Sequence, residues 1–553
     1  SDNQGHGIAS WEWNDGGAGG LFAPSRYVQN PSYTAPANDG YQAVTVTLTV
    51  TATCDGDDAL VASDSTTLTV RAARVRFEDI GTTLNLPSTT GVAWGDYNND
   101  GYPDLYMGAK WGEHRCVLLR NEGDGTFTDV TVAMGLRITS SDWEDAGIAW
   151  GDYNNDGLVD LIVSGGNHDI FLYRNDGSTF TEVGGAAAGM PMFATSRGVA
   201  WGDYDGDNWL DVFIGYEQSN ISRLYKNNRD GTFTMVNNEA GMEFTPASLA
   251  AQCSWIDHNN DGLLDLSVAR IKQATGTASQ PRLYTNNGDG TFTDLALASG
   301  ITGGSSMGLT WGDYDNDSFF DLFLGGNLNG ATRLFHNNGD GNFTDVHGDA
   351  MLGISANTHG VAWADYDNDG FLDLAQGNGV SPPYNESGPS VPFLFHNDGN
   401  GGFAQVAASE GVTAMRRYRG IAWADFNLDG RIDLLMGAGE GYSCLYENSG
   451  PVDEGNWLRV RALTSVTGDA TDGSPVRDAL GARVDVNLDN DATFVPGRTL
   501  ARTIDGGSSW MSQNEQIAQF GLGPAETVAV RVRFPDGSIV VATDVAADQQ
   551  ITI

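Results

Sequence analysis

Cysteine is scarce in this chain, with four in 553 residues at positions 54, 116, 253 and 444 and no CxxC pairing. That spacing excludes the usual zinc-ribbon and thioredoxin patterns and indicates no disulfide framework, which leaves scattered buried thiols. Positive charge is scarce too: 29 Lys and Arg stand against 72 Asp and Glu, a formal net charge of −43. A surface of that sign repels nucleic acid and anionic membrane, so neither is expected as a partner. No apolar run approaches the roughly 20 residues that cross a bilayer. P-loop, dinucleotide, nucleophile-elbow and zinc-protease motifs are all missing, and the eight histidines are dispersed. The chain opens on Ser1 without a signal-peptide pattern, as a processed, secreted chain would.

Against these absences stands an excess of glycine, 73 residues, with an apolar content of 40% that is ample for a core. Glycine joined with Asn, Asp and Thr points to many tight turns between short strands, an all-β chain. Three regions separate by texture. Residues 1–73 end in alternating stretches, Val44 to Val50 and Thr66 to Val70, whose period of two predicts half-buried antiparallel strands. Residues 74–450 are a repeat array. Residues 451–553 return to plain strand patterns, as in Trp457 to Leu463 and Val528 to Phe534, and predict a separate small β-domain.

One repeat unit runs from Gly91 through Ala93-Trp94-Gly95-Asp96 to a second apolar strand, then Leu118 to Asn121, a Gly123-Asp124-Gly125 turn and Phe127 to Val130. Four short strands at a period of tens of residues describe a β-propeller blade. The acidic loop of the unit begins at Asp96, Asp152, Asp203, Asp257, Asp313, Asp365 and Asp425. An outer-strand motif led by Phe127, Phe180, Phe233, Phe292, Phe343 and Phe403 follows only the first six loops. Its seventh copy, Phe77-Glu78-Asp79-Ile80, precedes the first loop. Seven loops match seven outer strands if residues 75–80 complete the last blade, which closes a ring of seven and leaves no open sheet edge.

The loop reads D-x-[DN]-x-D-G-x-x-D. Calcium takes six to eight oxygens at flexible angles, and alternate positions 1, 3 and 5 direct side-chain oxygens at one point. A glycine at position 6 allows a positive-φ turn, position 7 offers a carbonyl, and position 9 returns an Asp. The candidate ligands of loop 1 are Asp96, Asn98, Asp100, Tyr102 through its carbonyl, and Asp104. Loop 2 offers Asp152, Asn154, Asp156, Leu158 and Asp160, and loop 3 Asp203, Asp205, Asp207, Trp209 and Asp211. Loop 4 offers Asp257, Asn259, Asp261, Leu263 and Asp265, and loop 5 Asp313, Asp315, Asp317, Phe319 and Asp321. Loop 6 offers Asp365, Asp367, Asp369, Phe371 and Asp373, and loop 7 Asp425, Asn427, Asp429, Arg431 and Asp433. One copy alone also reads as an Asx-rich hairpin turn with no metal. Seven copies holding 24 acidic residues require counter-ions, and about seven calcium ions would bring the formal charge from −43 to −29. Position 6 is Asn208 in loop 3 and Ser318 in loop 5, so loop 5 is expected to be the most strained.

The loop, the Ala-Trp-Gly-Asp strand before it and the Asn-x-Gly-Asp-Gly-x-Phe-Thr-Asp turn resemble FG-GAP/VCBS repeats, as in integrin α-subunits, over about 375 residues. Gly481-Ala482-Arg483-Val484, Gly506 to Ser509, Ser512-Gln513-Asn514, Phe520 to Gly523 and Phe534 to Gly537 resemble an ASPIC/UnbV domain. Residues 1–73, with Tyr33-Thr34-Ala35-Pro36, resemble part of an Ig-like, PKD-type sandwich. The combination is similar to the cartilage acidic protein family and its bacterial relatives. That resemblance implies an extracellular, calcium-stabilised, non-catalytic protein, in a family whose ligands are often unknown; protein or glycan at the cell surface, or copies of the same chain, are the partners expected.

A ligand site apart from the loops has one candidate. The residue before each inner-strand glycine, among them Arg197, His359 and Arg419, should face one mouth of the channel, where basic side chains can hold an anion or else pair with neighbouring Asp. Three functions follow: a binding or adhesion module, a subunit that assembles with its own copies through an N-terminal sheet edge, and a polysaccharide lyase or hydrolase.

Overall fold

In this computed structural model the described residues are 8–14, 21–23, 32–34, 44–54, 61–70, 76–108, 116–136, 145–165, 170–191, 196–216, 222–242, 248–272, 280–303, 305–326, 332–348, 350, 358–378, 391–450, 455–465, 474–507 and 511–553. They fall into two compact units, Ser1–Val75 and Arg76–Ile553. In the first unit Ile8–Asn14, Val44–Cys54 and Val61–Val70 form a three-stranded antiparallel sheet, and Leu21–Ala23 pairs with Ser32–Thr34. Ala35 and Pro36, part of the resemblance noted for this region, lie outside the described residues.

The second unit is built on seven consecutive antiparallel sheets of four repeat strands each. Their innermost strands are Val92–Gly95, Asp145–Gly151, Ser196–Gly202, Ser248–Ile256, Ser306–Gly312, Thr358–Ala364 and Tyr418–Ala424. Each touches the next, and Tyr418–Ala424 touches Val92–Gly95, so the sheets form a closed β-propeller ring. Six sheets take four strands in sequence order. In the last, Phe77–Asp79 supplies the outermost strand, with Asn448 opposite Phe77 and Tyr446 opposite Asp79.

The Ala-Trp-Gly-Asp strand explains how neighbouring sheets pack. The Trp150 indole donates to the Ala93 carbonyl of the sheet before it, and Trp201, Trp255 and Trp423 repeat this on Ala149, Ala200 and Ala362. A Cβ on Gly95 would lie 2.7 Å from the Trp150 ring, and one on Gly202 2.7 Å from Trp255, so glycine is what lets the next indole approach. Aromatics join the sheets further out. Tyr153 of one repeat stacks on Trp201 and meets Phe233 of the next, and Tyr204 does the same with Trp255 and Phe292. In the last sheet Phe77 fills this place, 5.6 Å from Tyr366 and 6.2 Å from Trp423, so the closing strand brings its aromatic residue with it.

Residues 451–553 form their own sheets, packed against the propeller. They share the compact unit of the propeller, and Leu458, Val484, Phe520 and Val532 belong to one buried core with Tyr153, Trp201 and Leu210. Ser512–Gln513 pairs in parallel with Val92–Ala93 on the channel side of the first sheet. Plain strand patterns cannot signal this docking, because they do not show which buried face meets which. Cys116, Cys253 and Cys444 are buried free thiols.

Candidate metal centres

Each acidic loop links an innermost strand to the second strand of its sheet, so all seven open on one face of the ring. Two residues in each loop adopt the left-handed conformation. Position 6 does so at Gly101, Gly157, Asn208, Gly262, Ser318, Gly370 and Gly430, with φ of 64° at Asn208 and 74° at Ser318. Position 4 does so as well, at Asn99, Asn155, Gly206, Asn260, Asn316, Asn368 and Leu428. The second set went unread in the sequence, although the recurrence of Asn, the side chain most tolerant of that region after glycine, is its signal.

These turns fold the carboxylates inward. In every loop but the fifth the position-1 carboxylate accepts the backbone N–H groups of positions 5 and 6, as Asp96 does from Asp100 and Gly101 and Asp425 from Asp429 and Gly430. The position-5 carboxylate accepts the N–H of position 7 in all seven loops, at Tyr102, Leu158, Trp209, Leu263, Phe319, Phe371 and Arg431. In loops 1, 2 and 4 the position-3 amide donates to position 5, with Asn98 2.7 Å from Asp100, Asn154 3.0 Å from Asp156 and Asn259 2.8 Å from Asp261.

The position-9 aspartates Asp104, Asp160, Asp211, Asp265, Asp321, Asp373 and Asp433 are all fully buried and have a second task. Each accepts the N–H of an Asn that ends the third strand: Asn121, Asn175, Asn227, Asn286, Asn337, Asn397 and Asn448. Every one of those Asn side chains donates to the position-2 carbonyl of the preceding loop, including Asn121 to Phe426 across the closure. A continuous belt of amides therefore links neighbouring sheets, and its Asn residues were visible in the sequence only as part of a strand motif.

Burial dominates the electrostatics. Desolvation pushes Asp104 up to about 8 and Asp152 and Asp203 up to about 6, and holds Asp160, Asp211, Asp265, Asp313, Asp365 and Asp433 well above the usual carboxylate range. Among the described residues Asp211 Oδ2, Asp313 Oδ1 and Asp367 Oδ1 are buried with no hydrogen-bond partner. Oxygens of Asp203, Asp205 and Asp211 lie within 4.8 Å of one another, as do those of Asp313, Asp315 and Asp317 and those of Asp365, Asp367 and Asp373. Convergent hard oxygens that lack donors suit a hard dication.

The C-terminal region places arginines beside these loops. Arg477 bonds Asn155 and is buried near Asp152 and Asp203. Arg483 bonds Asn260 and the Ser318 carbonyl, and Arg459 lies 3.4 Å from Asp425. Buried Arg502 acts on Asp313 and Asp365. Around them the Gly506 carbonyl accepts from Trp201 N–H, Gln513 brackets the Trp150 backbone, and Asn514 and Glu515 accept from Trp423 and Asp425. The C-terminal region thus covers the loop face.

The proposed mouth residues lie at the other end of the innermost strands. Arg197, His359 and Arg419 each sit at a break in strand register, between Ser196 and Gly198, Thr358 and Val361, and Tyr418 and Ile421. Such bulges re-aim a side chain. His359 is only 1% exposed, and nearby Arg417 pairs with Glu440 at 2.9 Å.

The comparisons agree with this anatomy. The model of the FG-GAP-like repeat matches residues 96–163, 152–214, 203–268, 257–324 and 319–375, and that of ASPIC and UnbV matches 472–553. Cartilage acidic protein 1 of Homo sapiens is 24% identical over 481 residues, 71% of this chain and 69% of that protein. The Mus musculus protein of that name is 24% identical over 494 residues, 74% and 73% of the two chains. Among solved structures, YCF48 from Cyanidioschyzon merolae aligns at 12% identity and a TM-score of 0.39, over 67% of this chain and 98% of that one. With its repeats matched over half their host and its last 82 residues matched by the second model, this chain belongs to the FG-GAP-like repeat proteins that carry an ASPIC and UnbV domain.

Proposed function

We propose that this chain is a secreted, non-catalytic binding or adhesion protein whose seven-bladed propeller is stabilised by about seven calcium ions, one per loop. The observation that carries this reading is the set of seven loops with one backbone design, which gathers buried carboxylates whose pKa values are raised by desolvation. On this reading the ions are structural. The C-terminal region covers the loop face, so protein or glycan partners are sought on the opposite mouth near Arg197 and Arg419 and on the N-terminal region. Residues 1–73 are read as an Ig-like domain, 74–450 as the propeller and 451–553 as the ASPIC/UnbV domain.

Metal analysis of the chelator-stripped full chain, re-equilibrated in calcium, tests the reading. We expect about seven calcium ions per chain and a higher unfolding temperature; a chain that retains no calcium overturns it.

A second reading, assembly with copies of the same chain, is favoured by one observation. Val61–Val70 is a ten-residue strand that, among the described residues, pairs on one side only, with Val44–Cys54. A long open edge is a template for strand addition. Light scattering that gives a monomer mass at high concentration would remove it.

A further inference from the structure

The residue just before the belt Asn on each third strand is placed beside its own loop, and it differs from sheet to sheet: Arg120, Arg174, Lys226, Thr285, His336, His396 and Glu447. In loop 5 this position brings a nitrogen ligand to an oxygen cluster. His336 Nδ1 is 3.2 Å from Asp315 Oδ2 and 3.3 Å from Asp321 Oδ1. The nitrogen is buried and lies within ion-pair distance of both. Ligand atoms of Asp315, Asp321 and His336 all lie within 4.8 Å of one another.

A second observation is independent of the histidine. In the other six loops the position-5 N–H donates to Oδ1 of position 1. In loop 5 Asp317 N–H turns instead to Asp315, at 3.3 Å. That leaves Asp313 Oδ1 without a partner on a side chain that is 0% exposed, in a cluster with Asp315 and Asp317 that shares Asp315 with the histidine's cluster. An orphaned carboxylate oxygen in a dry site is costly unless a cation meets it. Loop 6 repeats the histidine: His396 Nδ1 is 3.3 Å from Asp367 Oδ2 and 3.2 Å from Asp373 Oδ1.

Calcium and magnesium take oxygen and disregard imidazole, whereas zinc, cobalt and nickel bind imidazole and carboxylate together. We propose that loop 5 is a mixed nitrogen–oxygen centre, formed by Asp313, Asp315, Asp321 and His336, that selects a transition dication of the zinc class over calcium. The inference rests on the reading of the loops as cation sites and deepens it, because it assigns a different ion to one loop and to its counterpart in loop 6. The dication displaces the imidazole proton to solvent.

The test uses the chelator-stripped full chain, saturated with calcium and then titrated with cobalt(II) chloride, whose visible absorption reports nitrogen ligation. The expected result is a ligand-field band at about two cobalt ions per chain, about half of it lost in His336→Ala and all of it in His336→Ala/His396→Ala. In the double variant, zinc affinity measured by calorimetry should fall by about tenfold or more while calcium stoichiometry at the other loops holds. Should the alanine variants fail to fold, His336→Gln keeps the size of the side chain and removes the imidazole. A calcium-saturated chain that shows no cobalt band, or a band unchanged in the double variant, overturns the proposal and leaves the calcium reading standing. A stripped chain that binds neither ion overturns both.

Discussion

Loops 3 and 5 start from the same inventory, four aspartates and no glycine at position 6, yet they meet their charge differently. In loop 3 the chain supplies its own cations. Lys226 contacts Asp205 and lies 3.6 Å from Asp207, and Arg229 donates to Asp207 at 2.6 Å. In loop 5 the corresponding side chain is His336, and Asp313 is left with an unpartnered oxygen. The difference teaches that the nine-residue motif sets the cage, while the third-strand residue before the belt Asn sets what fills it. Lys226 and Arg229 are one-third to one-half exposed, so their pairing is screened and remains displaceable.

Removing metal should break the comparison most severely, because it acts on every loop. A buried carboxylate with a raised pKa carries no penalty below its unfolded value of 3.8, and the penalty grows until pH passes the folded value, about 6 for Asp152 and Asp203 and about 8 for Asp104. The chelated protein should therefore lose stability as pH rises from about 4 to 8, each such group costing on the order of several kcal/mol at the upper end. Saturating calcium should flatten that slope. Unfolding temperatures across this range, with and without chelator, check it; parallel curves would contradict it.

The arginines of the C-terminal region should come next. Arg477 is held between loops 2 and 3 by Asn155 and the Asp478 carbonyl. Arg502 near loops 5 and 6 packs on Phe520 at 5.2 Å, and its Nε and Nη2 lack hydrogen-bond partners among the described residues. Arg477→Met should cost about 3–5 kcal/mol, because it leaves buried Asp152 and Asp203 without their nearest positive charge, and Arg502→Met should cost less. Denaturant unfolding with calcium held constant separates the two; equal losses would show that the docked region answers only to total charge.

Much of this was legible in the sequence, and the remainder was hidden for physical reasons. Periodicity of the Asp loop and the displaced Phe77 strand revealed the repeated sheets and the strand that completes the last one. Position 4 escaped notice because Asn also suits ordinary turns, and its left-handed φ becomes necessary only once the loop closes. The belt Asn residues looked like strand ends because their acceptors are backbone carbonyls about 80 residues away, as with Asn175 and Tyr97. The docking of residues 451–553 joins a shared apolar core to backbone groups such as the Gly506 carbonyl, and a strand pattern does not show which partner a buried face meets.

Position 6 offers a milder test. Ser318 holds φ of 74° with a side chain poorly suited to that region, whereas Asn208 at 64° is better tolerated. Ser318→Gly should stabilise the calcium-loaded protein by about 1 kcal/mol and Asn208→Gly by only a few tenths. Equal gains in thermal unfolding would show that position 6 is not where the two loops differ.

The smallest effect should come from Lys226. Its ammonium competes with an incoming ion for Asp205, while Asp211 Oδ2 beside it stays unpartnered. Lys226→Met removes the competitor and keeps the aliphatic stem. Because the group is partly exposed, the gain in calcium affinity at loop 3 should be only a few-fold, about 1 kcal/mol or less, and should shrink as salt rises. The equivalent change at loop 5, His336→Met, should have the opposite sign for a zinc-class ion, because there the side chain is a ligand. Calorimetric titration of both variants at two salt concentrations distinguishes a resident counter-ion from a ligand. If both substitutions move affinity in the same direction, the distinction between the loops fails.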